Sequence, residues 1–312
     1  MDLRIFVEPQ QGASYDTLLA AAKTTERCGF DAFFRSDHYM KMGAATGLPG
    51  PTDTWVTMAG LARETSTIKL GTLVTSATFR YPGPLAVSVA QVDQMSGGRV
   101  ELGLGAGWYE IEHHALGIPF PSLGDRFDRF EDQLAILRGM WSPETTPEHP
   151  FSYSGKQHTV VDAPGLPKPM GTVPIIIGGG GAKRTPRLAA TYAAEFNSPF
   201  QSPENTKWLF DRVRTTCESV SRDPNSLILS SAMVVVCAHT NSDLKRRAAA
   251  IGREVDELRT NGLCGTADEI AQRLAEYRAV GAGRSYLQIL DMSDLAHIEE
   301  IGESLLPLVR TL

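Results

Sequence analysis

Pro174-Ile175-Ile176-Ile177-Gly178-Gly179-Gly180-Gly181-Ala182-Lys183-Arg184-Thr185-Pro186 runs from an apolar strand through four glycines into a basic helix start. A short, wholly apolar run bounded by glycine is the pattern of a strand buried on both faces. With the helix after it, the segment is one strand–helix unit of a parallel sheet. Working outward, the same unit recurs. Strand-like runs lie at Arg4–Glu8, Ala32–Ser36, Lys69–Thr75, Val100–Gly105, Pro174–Gly178, Glu195–Ser198, Leu229–Ala238 and Ser285–Asp291. Between them the pattern predicts helices over 15–28, 53–65, 84–95, 125–141, 184–193, 203–221, 242–258 with 267–280, and 294–310. Asp53, Ser202 before Pro203, and Thr266 before Asp268 and Glu269 supply helix starts. Eight such units predict an α/β fold of the closed parallel kind, a (β/α)8 TIM barrel with loop insertions.

Three segments break the rhythm: 39–52, rich in Gly, Pro and Met; 142–173, with six prolines around Phe151-Ser152-Tyr153-Ser154 and room for a hairpin; and 240–265. Long loops after barrel strands shape the substrate end. No repeat or polar linker divides the chain, so one domain over residues 1–312 is expected.

Composition narrows the function. The 312 residues carry 30 Lys+Arg against 36 Asp+Glu, a formal charge of −6, which argues against a general nucleic-acid partner. No apolar run is long enough to span a membrane. The N-terminal residues enter a strand directly without a secretion-type leader, and the cysteines, Cys28, Cys217, Cys237 and Cys264, are scattered. A cytoplasmic α/β protein with reduced thiols and no metal site is the expectation.

In such a barrel the chemistry sits past the C-terminal ends of the strands. The second strand ends in Ser36-Asp37-His38-Tyr39, a carboxylate beside an imidazole, able to orient a ligand and move a proton. Past the third come Leu73-Val74-Thr75-Ser76, small and hydroxyl residues suited to the edge of a flat polar ring. The fourth ends in Gly103-Leu104-Gly105-Ala106-Gly107-Trp108, whose alternate glycines let a planar group or Trp108 approach the barrel floor; its spacing is not that of a dinucleotide fingerprint. Gly178, Gly179, Gly180 and Gly181, opening a helix with Lys183 and Arg184, form a candidate phosphate nest. It is not a P-loop. Glu112-His113-His114 lacks metal-ligand spacing, and a solvated or capping role is expected for both histidines.

These residues together resemble the bacterial luciferase-like superfamily, and within it the coenzyme F420-dependent oxidoreductases. The likeness rests on Ser36-Asp37-His38, on Leu70 to Val74 with Phe79-Arg80-Tyr81-Pro82, on Ser96-Gly97-Gly98-Arg99 through Gly107-Trp108, on Arg126 to Trp141 and on Ile177 to Gly181. It implies a TIM barrel, commonly a homodimer, with a deazaflavin in the barrel mouth. Asp37 and His38 match the cofactor-contacting pair, His38 being the proton donor or acceptor. Leu73-Val74 matches a non-proline cis peptide behind the ring, Ser76 a polar ring contact, and Gly178 to Gly181 the phosphate nest. Gly107 and Trp108 border the same site.

Two departures matter. Trp108 stands where the sugar-phosphate dehydrogenase branch has Glu, and Met42 where it has Trp, so glucose 6-phosphate is a poor substrate. Ala194-Glu195 replaces an Asp-containing pattern and removes a carboxylate near the expected cofactor. Trp108, Tyr39, Met40, Met42, Phe79 and the 142–173 insertion suggest an apolar, aromatic-lined pocket. The expected activity is hydride transfer between F420 and a small organic molecule. The alternatives are an FMN-dependent monooxygenase of the same fold and a non-catalytic cofactor-binding barrel.

Overall fold

The computed structural model of the chain describes residues 1–43 and 45–311. Its parallel strands close on themselves: β1 Asp2–Val7, β2 Ala32–Arg35, β3 Lys69–Thr72, β4 Val100–Gly105, β5 Ile175–Gly178, β6 Glu195–Pro199, β7 Ile228–Cys237 and β8 Arg284–Ile289. Each pairs with its predecessor, and β8 returns to β1 in the register Asp2↔Arg284 to Val7↔Ile289. The (β/α)8 barrel expected from the sequence is the fold. Thr266 and Glu269 form a reciprocal capping box, and Asp53 and Ser202 accept from Val56 N and Asn205 N at 3.0 and 3.2 Å, so the predicted helix starts hold.

Several boundaries differ. The strand predicted over 69–75 is broken: the chain leaves the ladder after Thr72 and rejoins at Thr75–Ser76, which pairs with Leu104 and Gly105. The peptide in the gap, Leu73–Val74, is cis. The helix predicted over 242–258 is two, Asn241–Ala250 and Val255–Asn261, parted at Gly252. Leu263–Gly265, inside the third insertion, adds a short parallel strand to the end of β7.

The period of two along each strand sorts side chains into two cores. Leu3, Ile5 and Val7 of β1 pack outward with Leu102, Leu104 and Leu287 against the helices. Arg4, Phe6 and Glu8 point inward. The barrel interior is layered. At the N-terminal end Arg4 binds Glu101 through both carboxylate oxygens, at 2.5 and 3.1 Å, and Arg284 pairs with Glu195. Above them Phe6, Phe34, Ile176, Ala232 and Tyr286 form an apolar plug, and above that the barrel opens. Glu195 therefore belongs to the closed end, so the Ala194-Glu195 departure alters the floor of the barrel rather than the mouth.

The Ser96-Gly97-Gly98-Arg99 block also lies at the closed end. Arg99 donates to Ala62 O, Thr65 O and Ile68 O at 2.8, 3.0 and 2.6 Å, clamping the end of the helix Thr54–Glu64 to the start of β3. The 142–173 insertion does contain a hairpin, Phe151–Ser154 with Thr159–Ala163. It lies outside the barrel along the helix Leu123–Trp141, where buried Asp132 accepts from Tyr153 Oη and from the backbone N–H groups of Gln157 and His158 at 3.0, 2.6 and 2.9 Å. An insertion between a helix and the next strand enters from the barrel's N-terminal face, which is why it does not shape the mouth as expected.

Candidate active site

Above the apolar plug lies a cavity of about 220 Å³, lined among others by Phe6, Glu8, His38, Leu73, Val74, Ser76, Gly107, Trp108, Glu112, Gly178, Gly179, Asn197 and Phe200. Eight of the residues singled out in the sequence meet here: His38, Leu73, Val74, Ser76, Gly107, Trp108, Gly178 and Gly179. The floor is apolar and the rim polar. A larger cleft, about 930 Å³, lies at the opposite end beside the start of β5. Its cations are engaged in capping helices: Lys168 Nζ donates to Met140 O and Ser142 O at 2.7 and 2.6 Å, and Arg222 Nη1 donates to Ala189 O and Ala190 O at 3.2 and 3.1 Å.

His38 is held from behind. The short helix Glu110–Ala115 after β4 folds back so that Glu112, fully buried, takes His38 Nδ1 on one oxygen at 2.8 Å and the N–H of Tyr39 on the other at 2.9 Å. With Nδ1–H donating to a carboxylate, Nε2 is the nitrogen left to exchange a proton. Position 108 itself carries an exposed indole, edge-on to the His38 ring at 5.7 Å.

Asp37 is buried beneath the cavity, outside its lining. Its carboxylate is bound by Arg80, which also reaches Asp53 at 2.8 Å and Tyr39 Oη at 3.0 Å, while Tyr39 Oη donates to Asp53 at 2.6 Å. This network fixes the loop that carries His38. Tyr39 and Phe79, expected as pocket aromatics, pack on each other at 5.3 Å behind the cavity wall.

A second chain of hydrogen bonds sets the polarity of Ser76. His113 is fully buried, not solvated as expected. Its Nδ1 lies 2.7 Å from Tyr109 O and must donate, so Nε2 accepts from the Thr78 hydroxyl at 2.6 Å. Burial lowers the His113 pKa, keeping the ring neutral. Thr78 Oγ1 in turn accepts from Ser76 at 2.6 Å. The Ser76 hydroxyl proton is thereby engaged, and Ser76 offers the cavity a lone pair.

The glycines divide by what surrounds them. A Cβ at Gly103 would strike the Thr72 carbonyl oxygen of the neighbouring strand, and one at Gly105 would meet the Val74 side chain at 2.9 Å, so these two make room for the barrel itself and not for a ligand. Gly107, at φ +81°, would press a Cβ onto Ser76 Oγ at 2.5 Å. Gly179, at φ +130°, adopts a conformation open only to glycine, and its N–H donates to Asn197 O at 3.3 Å. A side chain at Gly180 would meet nothing within 4 Å. Gly180 and Gly181 lie beyond the cavity lining, at the start of the helix Arg184–Tyr192. Arg184 does not serve the glycine turn: it pairs with Asp128 at 2.5 Å and Glu131 at 3.3 Å.

Four residues were missed by the sequence reading. Glu8, at the end of β1, is a carboxyl facing His38; burial pushes its pKa up, against the opposing effects of His38 and the Gln11 and Gln10 amides. The Arg4-Phe6-Glu8 alternation is the signal that placed it. Asn197 lines the wall, its amide donating to Ser230 at 2.9 Å. Phe200 covers the cavity from a left-handed backbone, φ 52°, a rare conformation for a side-chain-bearing residue. Glu112 is the fourth.

The model of the luciferase-like monooxygenase family matches residues 1–262. The chain belongs to the luciferase-like monooxygenase family. Within it, the chain is 35% identical over 182 residues to an F420-dependent glucose-6-phosphate dehydrogenase of Microbacterium testaceum, covering 56% of this chain and 50% of the relative. It is 33% identical over 154 residues to another of that description from Beutenbergia cavernae, covering 49% and 45%. The chain thus spans about half the length of the curated relatives it matches. The luciferase-like barrel also superposes on an F420-dependent secondary alcohol dehydrogenase, solved with an F420-acetone adduct, at a TM-score of 0.85 and 20% identity over 99% of both chains. Among the described residues no helix is long and apolar enough to cross a membrane.

Proposed function

We propose that this chain is a two-electron oxidoreductase that moves a hydride between the deazaflavin coenzyme F420 and a small organic substrate. The observation that carries the reading is one cavity in which His38, held by buried Glu112, faces the Gly178–Gly179 turn across an apolar floor. Leu73 and Val74 suit the face of a flat ring, and the lone pair of Ser76 suits a donor on its edge. The glycine turn before a helix suits a phosphate. The F420 dependence named for the two dehydrogenase relatives supports the deazaflavin over FMN.

When bound, the deazaflavin supplies or accepts the hydride. The protein's part is orientation and proton movement. His38 Nε2 takes the proton from a substrate hydroxyl as its carbon loses hydride, and returns it in the reverse direction. Glu112 holds the ring in the tautomer this requires. Asp37, through Arg80, positions the loop. Trp108 and Phe200 shield the ring from water. Gly180 and Gly181 lie where the phosphate would rest on free backbone N–H groups.

Titration with F420 and with FMN, followed by absorbance, tests the reading. The expected result is saturable F420 binding and turnover that consumes no oxygen. Binding of FMN alone, with oxygen uptake coupled to substrate hydroxylation, would overturn it. A cytoplasmic homodimer belongs to the same reading, and a monomer mass by light scattering would remove the dimer.

A further inference from the structure

Around the glycine turn, Gly178 to Gly181, the basic side chains have different fates. Arg184 is met by Asp128 and Glu131, and Arg187 by Glu131 at 2.5 Å. Arg212 comes from the neighbouring helix, Pro203–Ser219, and forms no ion pair among the described residues. The carboxylate beside it in sequence, Asp211, is taken by Lys207 at 2.5 Å and Arg214 at 3.4 Å. The Arg212 guanidinium instead donates from both Nε and Nη2 to a single atom, Ala182 O, the first at 3.1 Å. It also lies over the indole of half-exposed Trp208, one turn earlier, 4.8 Å from the ring centroid. That stacking limits its swing and directs it at the turn.

This arrangement differs from the other cations that hold carbonyls. Lys168 and Arg222 do so at helix C-termini, where a positive charge suits the macrodipole. Arg212 does so just before the helix Arg184–Tyr192, where its charge opposes the macrodipole and no carboxylate cancels it. An anion on the turn would remove that misfit. The grip also sets the backbone. A trans peptide points its C=O and N–H in opposite directions. Holding the Ala182 carbonyl toward the Pro203–Ser219 helix therefore turns the Lys183 N–H away from it. The N–H groups of Gly180, Gly181, Ala182 and Lys183 have no acceptor among the described residues.

We infer, resting on the hydride-transfer reading above, that Arg212 is a positioning residue for the cofactor's phosphate. It orients the Ala182–Lys183 peptide so that the Lys183 N–H joins those of Gly180 and Gly181 in meeting the anion. Its uncancelled charge offsets that of the phosphate, and Trp208 holds it in place. Arg212 does not line the cavity, so its effect is on the phosphate and not on the ring.

The test is fluorescence titration of the full chain with F420 and with its phosphate-free deazariboflavin fragment. Arg212→Met keeps an unbranched side chain over Trp208 and removes the donors and the charge. It is expected to weaken F420 binding about tenfold, leaving the fragment's affinity and the thermal midpoint unchanged. Trp208→Leu is expected to weaken F420 binding about threefold, again sparing the fragment. An unchanged F420 affinity in Arg212→Met, an equal loss for F420 and the fragment, or equal affinity of the unaltered chain for both would each overturn the inference. Should Arg212→Met fail to fold, Trp208→Leu decides by the same comparison. A chain that binds FMN but not F420, with Arg212→Met weakening FMN and sparing riboflavin, removes the hydride-transfer reading only. One that binds F420 with an affinity indifferent to Arg212 removes this inference only.

Discussion

Glu101 and Glu8 are both inward-facing carboxyls of one barrel, separated by the apolar plug, and their environments push them in opposite directions. At the closed end, burial raises the Glu101 pKa, but Arg4, Arg284 and Lys69 more than offset it and the group stays below the ordinary range. At the mouth, burial wins over His38 and the neighbouring amides, and Glu8 sits above it. The closed end meets its carboxylates with guanidinium groups; at the mouth Glu8 is met by neutral amides and an imidazole. A carboxyl whose pKa is raised inside a cavity is a candidate to meet a ligand.

The strongest way to break this contrast is Glu101→Gln, which leaves Arg4 buried without its anion. A loss of about 3–5 kcal/mol in stability is expected, read from the urea midpoint, with turnover per folded molecule unchanged. A loss under about 1 kcal/mol would mean that the closed end does not depend on this pair. His38→Ala should act on the chemistry instead: F420 affinity unchanged, but turnover per folded molecule down at least about a hundredfold. Wild-type turnover would take His38 out of the chemistry.

Gly180→Val is gentler and sharper than a change at Gly179, because the added side chain enters open space without straining the backbone. F420 binding should weaken about tenfold, equivalent to about 1.4 kcal/mol, with stability intact. Unaltered affinity by fluorescence titration would place the phosphate elsewhere. The smallest effect is on pH dependence. Because the folded chain holds the Glu8 proton more tightly than the unfolded one, stability falls as pH rises from the ordinary glutamate range through the raised value. The slope is at most about 1.4 kcal/mol per pH unit. Glu101 has the opposite sign: its contribution is present above the ordinary range and is lost as pH falls through its lowered value. Glu8→Gln should abolish the first slope and leave the second, as followed by thermal unfolding across pH.

Much of this was legible beforehand. Short β-rich runs alternating with amphipathic stretches located every barrel strand, because a parallel barrel repeats one strand–helix unit. His38, Ser76 and Gly179 followed from their places just past strand ends. Glu8 was equally accessible in principle, through the alternation from Arg4, but a polar residue at a strand end looks like the start of a loop. Glu112 was not accessible: its role exists only because the helix Glu110–Ala115 folds back over His38. Asp37 was read as a ligand contact from the match of the Asp37-His38 pair to the family, whereas adjacent residues at a strand end face opposite ways and its carboxylate turns to Arg80.

The clamp made by Arg99 carries a last consequence. The Ser96-Gly97-Gly98-Arg99 turn grips the end of the barrel remote from the cavity. Two enzymes can therefore share it and still transform unrelated molecules. Kinship detected through that turn identifies the chassis and leaves open what the far rim receives.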